Sequence, residues 1–277
     1  MIKEEIQNQI IQAVETVRRT NPMAGSITNT VTINFVANAQ LAVGGSAAMV
    51  YLPDEGEFLA KAGGATYINV GTLLPIYEQT LPRIAKVLQD IGKPWVLDPV
   101  AVGIGSLRTQ LLRQFKEYKP HVIRGNASEI IALAGLWGLD GGTDVSKVRG
   151  VDSTDSVSAA KTAAVTLANW TGGAVAVSGK TDLITDGSII AFSHGGSHFM
   201  EKITGSGCSL GGVVAVYATA ASPFIAALTA TAVYNLAGKR AENQVDGPGS
   251  FQIQFLDELY KATAADIANN PFEIEEV

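Results

Sequence analysis

Apolar residues recur at helical spacing at the start of the chain and later gather in short runs. In residues 2–19 the apolar positions share one face, which predicts an amphipathic helix. Short runs rich in Val, Ile and Ala predict strands at 46–51, 65–70, 95–98, 121–124 and 174–178. The patterns between them predict helices at 54–63, 76–91, 106–117, 126–135 and 155–169. Near-continuous apolar strands alternating with helices are typical of an α/β fold, with a mainly parallel sheet covered by helices on both faces.

The pattern changes after the last of these strands. Within 180–203, two β-rich runs surround Asp186-Gly187 and predict a hairpin followed by a further short strand. Three more helices are predicted at 208–221, 223–242 and 250–263. The polar, glycine-rich segment 140–154 is interpreted as a surface loop, because hydrophobic periodicity resumes directly after it. We therefore expect one domain over residues 1–277.

Composition narrows the classes of function. Of the 277 residues 17% are charged, and the net charge is −6. Because no basic run or basic–aromatic interleaving occurs, we expect neither nucleic acid nor an anionic membrane as a partner. The polar start of the chain and the lack of a long apolar run predict no signal peptide and no membrane span, hence a soluble, cytoplasmic protein. The single cysteine excludes internal disulfides and cysteine-cluster metal sites.

That cysteine, Cys208, lies in the stretch GSGCSLGG at the start of a predicted helix. Backbone N–H groups near Gly205 and Gly207 are free of side-chain bulk there, which favours an anion hole for phosphate or for the charge that develops in phosphoryl transfer. The same position is expected to lower the thiol pKa and to leave Cys208 partly ionised. The alternative is a small buried hydrophobic residue in a tightly packed helix, and the stretch alone does not decide between them.

Polar residues also stand where predicted strands end, the edge at which open α/β sheets bind ligands. Asn126 and Glu129 have the spacing of a capping box, although Glu129 is also a candidate ligand for Mg²⁺. Arg124 is a candidate phosphate clamp. Asp98 either initiates a turn or supplies a second acid for metal or acceptor. Ser178 ends a strand in a turn that is either plain or in contact with a nucleotide.

Several further residues are ambiguous on their own. Asn29, Asn34 and Asn38 interrupt an apolar helical pattern, so at least one is expected to cap a helix or to contact a ligand. Met49 either belongs to the core or lines a pocket. The histidines show no metal-ligand spacing and are interpreted as structural or exposed: His121, His194 and His198.

The order of these motifs resembles that of the hydroxyethylthiazole kinase family, which has a ribokinase-like fold. The matching stretches are SITN from residue 26, LDPV from 97, IRGNASEI from 123, TGSGCSLGG from 204 and GPGSFQ from 247. The resemblance covers about residues 20–265. It implies ATP-dependent phosphorylation of the primary alcohol of 4-methyl-5-(2-hydroxyethyl)thiazole, a step of thiamine salvage.

The resemblance also implies a role for each matching residue. Cys208 stands where most ribokinase-like enzymes carry an aspartate base and is the implied catalytic residue. Contacts to the substrate are implied for Met49, Gly205 and Asn29. Contacts to ATP are implied for Arg124, Ser178, Asn126 and Gly207. Glu129 and Asp98 are the implied residues for Mg²⁺, and family members are homotrimers whose active sites lie near subunit boundaries.

Two departures from the family pattern leave alternatives open. Gly25 stands where the family usually has histidine, and DPVAVGIG replaces the usual DPVGAGAT near the acceptor. A kinase for a related alcohol such as hydroxymethylpyrimidine or a sugar is one alternative. A cysteine hydrolase that pairs Cys208 with His121 or His198 is another, and a non-catalytic binding protein is a third. A dinucleotide dehydrogenase is disfavoured because no G-x-G-x-x-G follows the first strand.

Overall fold

The computed structural model describes residues 3–143 and 156–277, and a nine-stranded sheet runs through the described part. Its strands are β1 (Met23–Ile27), β2 (Ser46–Met49), β3 (Ala65–Asn69), β4 (Trp95–Asp98), β5 (Val122–Asn126), β6 (Ala174–Ser178), β7 (Asp182–Thr185), β8 (Ile189–Ser193) and β9 (Phe272–Glu276). Their order is β2-β1-β3-β4-β5-β6-β7-β8-β9. Strands β1 to β6 pair in parallel, and β7, β8 and β9 each run antiparallel to the strand before them in the sheet.

Helices cover both faces of this sheet. They are α1 (Lys3–Thr20), α2 (Ile33–Ala42), α3 (Pro53–Ala62), α4 (Tyr77–Ile91), α5 (Ser106–Tyr118), α6 (Ala127–Leu136), α7 (Lys161–Thr171), α8 (Ser206–Ala218), α9 (Pro223–Glu242), α10 (Pro248–Lys261) and α11 (Ala264–Ala268). Helices α3 to α7 pack on one face, and α1, α2 and α8 to α11 pack on the other. None of the described helices is long and apolar enough to cross a membrane. The predicted mainly parallel sheet between two helical layers is confirmed.

The buried sheet explains why the strands were readable as apolar runs. Every residue of β3 and β4 is buried, as expected for strands covered on both faces. Helix α8 packs on β1, β3 and β4, and its residues 209–218 are all buried. Because the chain enters α8 at the carboxyl edge of these strands, the N terminus of this helix is held against the ends of β3 and β4.

Some predicted elements differ from the observed ones. The strand expected after the hairpin is a 3₁₀ helix, His198–Glu201. Strands β1 and β9 were not predicted, and the sequence of β1, MAGSI, has a single β-branched residue. The helix expected at 155–169 begins at Lys161. Most of the segment interpreted as a surface loop, 144–154, lies outside the described residues.

Candidate active site

The first turn of α8 lies at the carboxyl edge of the parallel strands. Gly205 precedes it with φ of +89°, and a Cβ atom at this residue would lie 2.7 Å from Thr32 Cγ2, so both backbone angle and space favour glycine. The hydrogen bonds within the helix begin with Ser209 N–H, which donates to Gly205 O at 2.8 Å. The N–H groups of Ser206, Gly207 and Cys208 therefore stand outside the helical ladder, as at any helix N terminus. Such groups can bind the oxygens of an anion.

The thiol of Cys208 is held by two side-chain amides. Its Sγ accepts hydrogen bonds from Asn69 Nδ2 at 3.3 Å and from Asn29 Nδ2 at 3.4 Å. Burial, and then the nearby carboxylate of Asp98, raise the pKa of the Cys208 thiol. The prediction of a lowered thiol pKa was therefore wrong, because desolvation outweighs the helix N terminus. The group is a neutral thiol at neutral pH.

Asp98 ends β4 and is the best-connected acid of the site. Its Oδ2 accepts from Tyr67 OH at 2.8 Å and from Asn69 Nδ2 at 3.1 Å. Within the described residues its Oδ1 has no hydrogen-bond partner, although the side chain is completely buried. Burial raises the pKa of this carboxyl, and the neighbouring Arg124 cation partly opposes that effect. The sequence analysis missed Asn69 and Tyr67, although Asn69 ends a buried strand just as Asp98 does.

Arg124 joins Asp98 to the end of β6. Its Nη1 lies 3.4 Å from Asp98 Oδ2, and its Nη2 donates to Ser178 Oγ at 3.0 Å. Burial lowers its pKa, but the carboxylates of Asp98 and Glu129 outweigh that effect and the net shift is upward. A Cβ atom at Gly207 would lie 2.6 Å from Nη1, so only glycine lets the guanidinium approach the first turn of α8 this closely. The buried guanidinium of Arg124 thus lies next to the N–H groups of the first turn of α8.

Asn126 and Glu129 form the capping box that their spacing predicted. Glu129 N–H donates to Asn126 Oδ1, and Asn126 N–H donates to Glu129 Oε2, both at 2.9 Å. Glu129 Oε1 also accepts from Ala101 N–H at 3.3 Å. Burial and then the charge of Asp98 raise the pKa of Glu129 to about 7. A buried carboxyl whose ionisation is opposed by burial and by a neighbouring carboxylate is an arrangement that a divalent cation would stabilise.

The remaining candidates lie along the same edge. Asn29 follows β1, and its Oδ1 accepts from the N–H groups of Val31 and Thr32 in the turn before α2. The N-cap residue of α2 is Thr32, which has no side-chain cap bond, so the expectation that an asparagine here caps a helix or contacts a ligand stays a prediction. Asn34 and Asn38 bond to each other on the surface of α2. Met49 ends β2, is half-buried and packs against the core.

The histidines lie away from the thiol, which contradicts the hydrolase alternative. His121 immediately precedes β5 and so stands at the opposite, amino edge of the sheet. His198 Nδ1 lies 2.5 Å from Glu242 Oε1, and His194 Nε2 lies 3.8 Å from Glu273 Oε1. Among the described residues no histidine forms a pair with Cys208, so the geometry that a cysteine hydrolase needs is missing.

The two departures from the family pattern have structural counterparts. A Cβ atom at Gly25 would lie 3.2 Å from Leu59 Cβ, so Leu59 of α3 occupies the space that a larger side chain would need. Ala101 has φ of +59°, a backbone conformation that suits the glycine usual at this position. At the first departure, the space beside Gly25 is filled by Leu59. The second departure lies in the loop whose Ala101 N–H donates to Glu129.

Comparison with known proteins gives a consistent result. Residues 14–265 match the model of the hydroxyethylthiazole kinase family. A hydroxyethylthiazole kinase of Bifidobacterium longum is 51% identical, with 98% of this chain and 92% of the relative covered. One of Cereibacter sphaeroides is 44% identical, with 89% and 91% covered.

Solved structures show the same relationship. The hydroxyethylthiazole kinase protein of Pyrococcus horikoshii superposes with a TM-score of 0.84 at 28% identity, with 97% of this chain and 98% of that chain covered. The pyridoxal kinase of Staphylococcus aureus, solved in complex with ADP, gives a TM-score of 0.58 at 18% identity, with 92% and 99% covered. The second likeness shows the fold alone, and it confirms the ribokinase-like α/β architecture.

Proposed function

The chain belongs to the hydroxyethylthiazole kinase family, and on that premise we propose that it transfers the γ-phosphoryl group of ATP to the primary alcohol of 4-methyl-5-(2-hydroxyethyl)thiazole, a step of thiamine salvage. The observation that carries the proposal is the buried Arg124–Asp98 pair lying directly against Gly207. It joins a fixed cation, backbone donors and an acid at one edge of the sheet. Phosphoryl transfer needs that combination, because its transition state is stabilised by positioning and by charge.

The phosphate side of the reaction falls to Arg124 and the first turn of α8. The N–H groups of residues 205–208 are donors for the transferring group, and Arg124 supplies positive charge beside them. Ser178 accepts from the guanidinium and so fixes its orientation. Asn126, which starts α6 next to β6, is proposed as a further ATP contact. These donors are preorganised because they belong to the first turn of a helix and to a buried ion pair.

Asp98 and Glu129 are proposed to hold Mg²⁺. The fit rests on the unpartnered Oδ1 of Asp98 and on burial, which raises the pKa of both carboxyls, with the charge of Asp98 adding to the effect at Glu129. Mg²⁺ binds through one or two protein carboxylates together with substrate phosphates, and these residues supply that number. When bound, the ion would neutralise phosphate charge, while Glu129 keeps its own orientation through the N–H groups of Asn126 and Ala101.

Cys208 is proposed to orient the acceptor hydroxyl. Its raised pKa leaves a thiol, so its contribution is hydrogen bonding to the alcohol and not removal of a proton by a thiolate. Little base strength is needed when the transition state is loose. Asn29, Met49 and Gly205 are proposed to contact the acceptor, which places the alcohol between the ends of β1 and β2 and the start of α8.

Several broader features belong to the same proposal. Residues 1–277 act as a single kinase domain, which is supported by the membership of all described strands in one sheet. The protein works as a cytoplasmic homotrimer whose active sites lie near subunit boundaries. Neither nucleic acid nor membrane is proposed as a partner, in line with the net charge of −6.

The test is a coupled ADP-release assay with Mg-ATP and three acceptors: the hydroxyethylthiazole, hydroxymethylpyrimidine and a sugar alcohol. Thiazole-dependent turnover that is lost in Glu129→Gln is the expected result. Turnover with the pyrimidine alone would support the alternative kinase and assign the difference to the DPVAVGIG loop. ATP binding without turnover on any acceptor would support a non-catalytic binding protein.

A further inference from the structure

A buried carboxylate outside this cluster begins β7. Asp182 is only 8% exposed, and burial raises its pKa to about 6, so the group is mostly ionised at neutral pH. Its Oδ1 accepts from Gly179 N–H at 2.9 Å, and its Oδ2 accepts from Asn235 Nδ2 at 2.8 Å. A neutral hydroxyl side chain would close the same turn without burying a charge, so turn formation alone does not account for a carboxylate here.

The turn that Asp182 holds belongs to the Arg124 side of the site. Gly179 directly follows Ser178, whose Oγ accepts from Arg124 Nη2 at 3.0 Å. The guanidinium is therefore held by Asp98 on one side and by this turn on the other. Its positive charge also acts on Asp182, where it opposes the effect of burial on the pKa. A displaced turn would free one of the two side chains that orient Arg124.

Asn235 ties Asp182 to helix α9 and to a second chain segment. Its Nδ2 also donates to Ser193 Oγ at 3.1 Å, and its main-chain oxygen accepts from Gly196 N–H at 2.9 Å. The segment at Gly196 continues through the 3₁₀ helix to Gly205 and the first turn of α8. One residue of α9 thus fixes the turn beside Arg124 and the chain that leads to the anion-binding N–H groups.

We propose that Asp182, clamped by Asn235, is a positioning residue for nucleotide phosphate binding, acting through the Ser178 turn on Arg124. This inference rests on the proposed function only in taking the nucleotide phosphates to lie beside Arg124. The residue does not touch the nucleotide. It keeps the turn and hence the cation in place for a phosphate ligand.

The test exchanges the two clamped side chains. In Asp182→Asn the new amide offers one acceptor to two donors, so one of its hydrogen bonds is lost. In Asn235→Asp two carboxylates face each other. In the double variant Asp182→Asn with Asn235→Asp, the amide at 182 accepts from Gly179 N–H and donates to the carboxylate at 235, which also accepts from the Ser193 hydroxyl. The pattern of contacts is then complete again.

The readouts are the dissociation constant of Mg-ATP by calorimetry, the KM of the acceptor and the melting temperature. We expect each single variant to bind ATP about tenfold more weakly, because a hydrogen bond to a charged group is lost. The KM of the acceptor should stay unchanged, and the double variant should return to within about threefold of wild-type ATP affinity. Ser193→Ala is the matched control, since it removes a partner of Asn235 without touching the turn, and it should leave ATP affinity unchanged.

Three results would overturn the inference. The first is wild-type ATP affinity in Asp182→Asn, even with a lowered melting temperature, because it would mean a structural role only. The second is an equal loss in Ser193→Ala. The third is a folded double variant that binds ATP more than about tenfold more weakly.

Since calorimetry needs no acceptor, wild-type protein that binds ATP but does not phosphorylate the thiazole contradicts the proposed function alone. Wild-type protein that fails to bind ATP contradicts both.

Discussion

At the scale of single residues, the chemistry of Cys208 depends on its surroundings more than on its place in a motif. The two amides that donate to Sγ stabilise a thiolate, as the helix N terminus does. Burial and the charge of Asp98 act in the opposite direction and prevail, so the pKa is raised. The thiol therefore contributes by position, and a hydroxyl in the same position should replace much of its function.

Cys208→Ser should lower kcat by less than about tenfold, because a serine hydroxyl can make the same hydrogen bond to the acceptor. The profile of kcat against pH between 6 and 9 should keep its shape in the variant, since no thiolate is being titrated away. The measurement is steady-state turnover over that range, together with the rate of iodoacetamide labelling of the wild-type thiol. A loss of several thousandfold, or rapid labelling at pH 7, would contradict this assignment.

Glu129→Gln should lower kcat on the order of 10²–10³-fold, because a charge that stabilises the transition state is worth about 2–4 kcal/mol. The melting temperature should fall by about 2–4 °C, since the glutamine oxygen can still accept from Asn126 N–H and cap α6, whereas the bond from Ala101 N–H needs the second carboxylate oxygen and is lost. Glu258→Gln is the matched control: Glu258 is also buried but lies in α10, where it bonds to Gln244 and Gln254. Turnover of the Glu129 variant within threefold of the control would remove Glu129 from the mechanism.

The same residues show what sequence alone can reveal. Asp98, Arg124 and Ser178 were found because each ends an apolar run, and that local signal is visible in the sequence alone. Asn69 was overlooked because Val70 continues the apolar run beyond it, although the strand itself ends at Asn69. Asp182 and Asn235 carry no such signal, since they are 53 positions apart and their pairing depends on how α9 packs over β7. Burial, which sets the direction of the thiol pKa, is likewise a property of the packed molecule.

At the scale of elements, periodicity located most helices and strands because each is apolar on the face or faces it buries. Helix α9 begins and ends where predicted, at Pro223 and Glu242. Strand β1 was missed because small residues can occupy a central strand when parallel neighbours on both sides supply the hydrogen bonds. β-Propensity describes only a residue's own preference for a strand, and in β1 the pairing with β2 and β3 outweighs the weak preference of its small residues.

The loop between β4 and α5 carries a local strain that can be tested. Ala101 adopts φ of +59° while donating its N–H to Glu129. A left-handed alanine costs about 1–2 kcal/mol, and the greater flexibility of unfolded glycine offsets about 0.5–1 kcal/mol of the relief. Ala101→Gly should therefore raise the free energy of unfolding by about 0.5–1 kcal/mol.

Urea unfolding of the Ala101 variant measures this effect. The matched control is Ala62→Gly at the exposed end of helix α3, where the alanine has ordinary helical geometry and glycine should destabilise. Equal destabilisation by the two substitutions would show that the loop stores no backbone strain. A stabilised variant with unchanged kcat would show in addition that the strain has no role in turnover.

At the scale of the whole molecule, the buried carboxyl of Asp182 makes stability depend on pH. Burial raises its folded pKa from 3.8 to about 6, against the opposing hydrogen bonds from Gly179 N–H and Asn235 Nδ2 and the charge of Arg124. The folded state therefore binds this proton more tightly than the unfolded state. The associated stability is fully present below pH 4 and is lost as pH rises through 6, by about 3 kcal/mol.

The free energy of unfolding of the wild-type protein minus that of Asp182→Asn should accordingly fall by roughly 2–2.5 kcal/mol between pH 4 and pH 7, because the unfolded carboxyl is already partly ionised at pH 4. Urea titrations at four values of pH measure it, and subtraction removes the contributions of other groups such as Glu129. A difference that is flat across this range would mean that Asp182 is already ionised at pH 4 in the folded protein.

The proposed homotrimer makes a prediction about which surface joins the subunits. Strand β2 is one of the two edge strands of the sheet and ends at Met49, which is proposed to contact the acceptor. Just beyond it Leu52 and Phe58 are 48% and 68% exposed, and such apolar exposure next to an unpaired strand edge is typical of an interface. An interface here would also bring a second subunit to the acceptor end of the active site. Phe58→Glu should therefore convert a particle of about three times 29.0 kDa into a monomer.

Light scattering after size exclusion measures the mass, and the acceptor KM measured on the same samples tests the link to catalysis. Dissociation should raise that KM while leaving the dissociation constant of ATP unchanged, because Arg124 and the first turn of α8 lie within one chain. Ile253→Glu is the matched control, since Ile253 is 69% exposed but lies on α10 in the opposite helical layer. If Ile253→Glu dissociates the protein and Phe58→Glu does not, the interface lies over α10. The acceptor end of the site would then be completed by one chain alone.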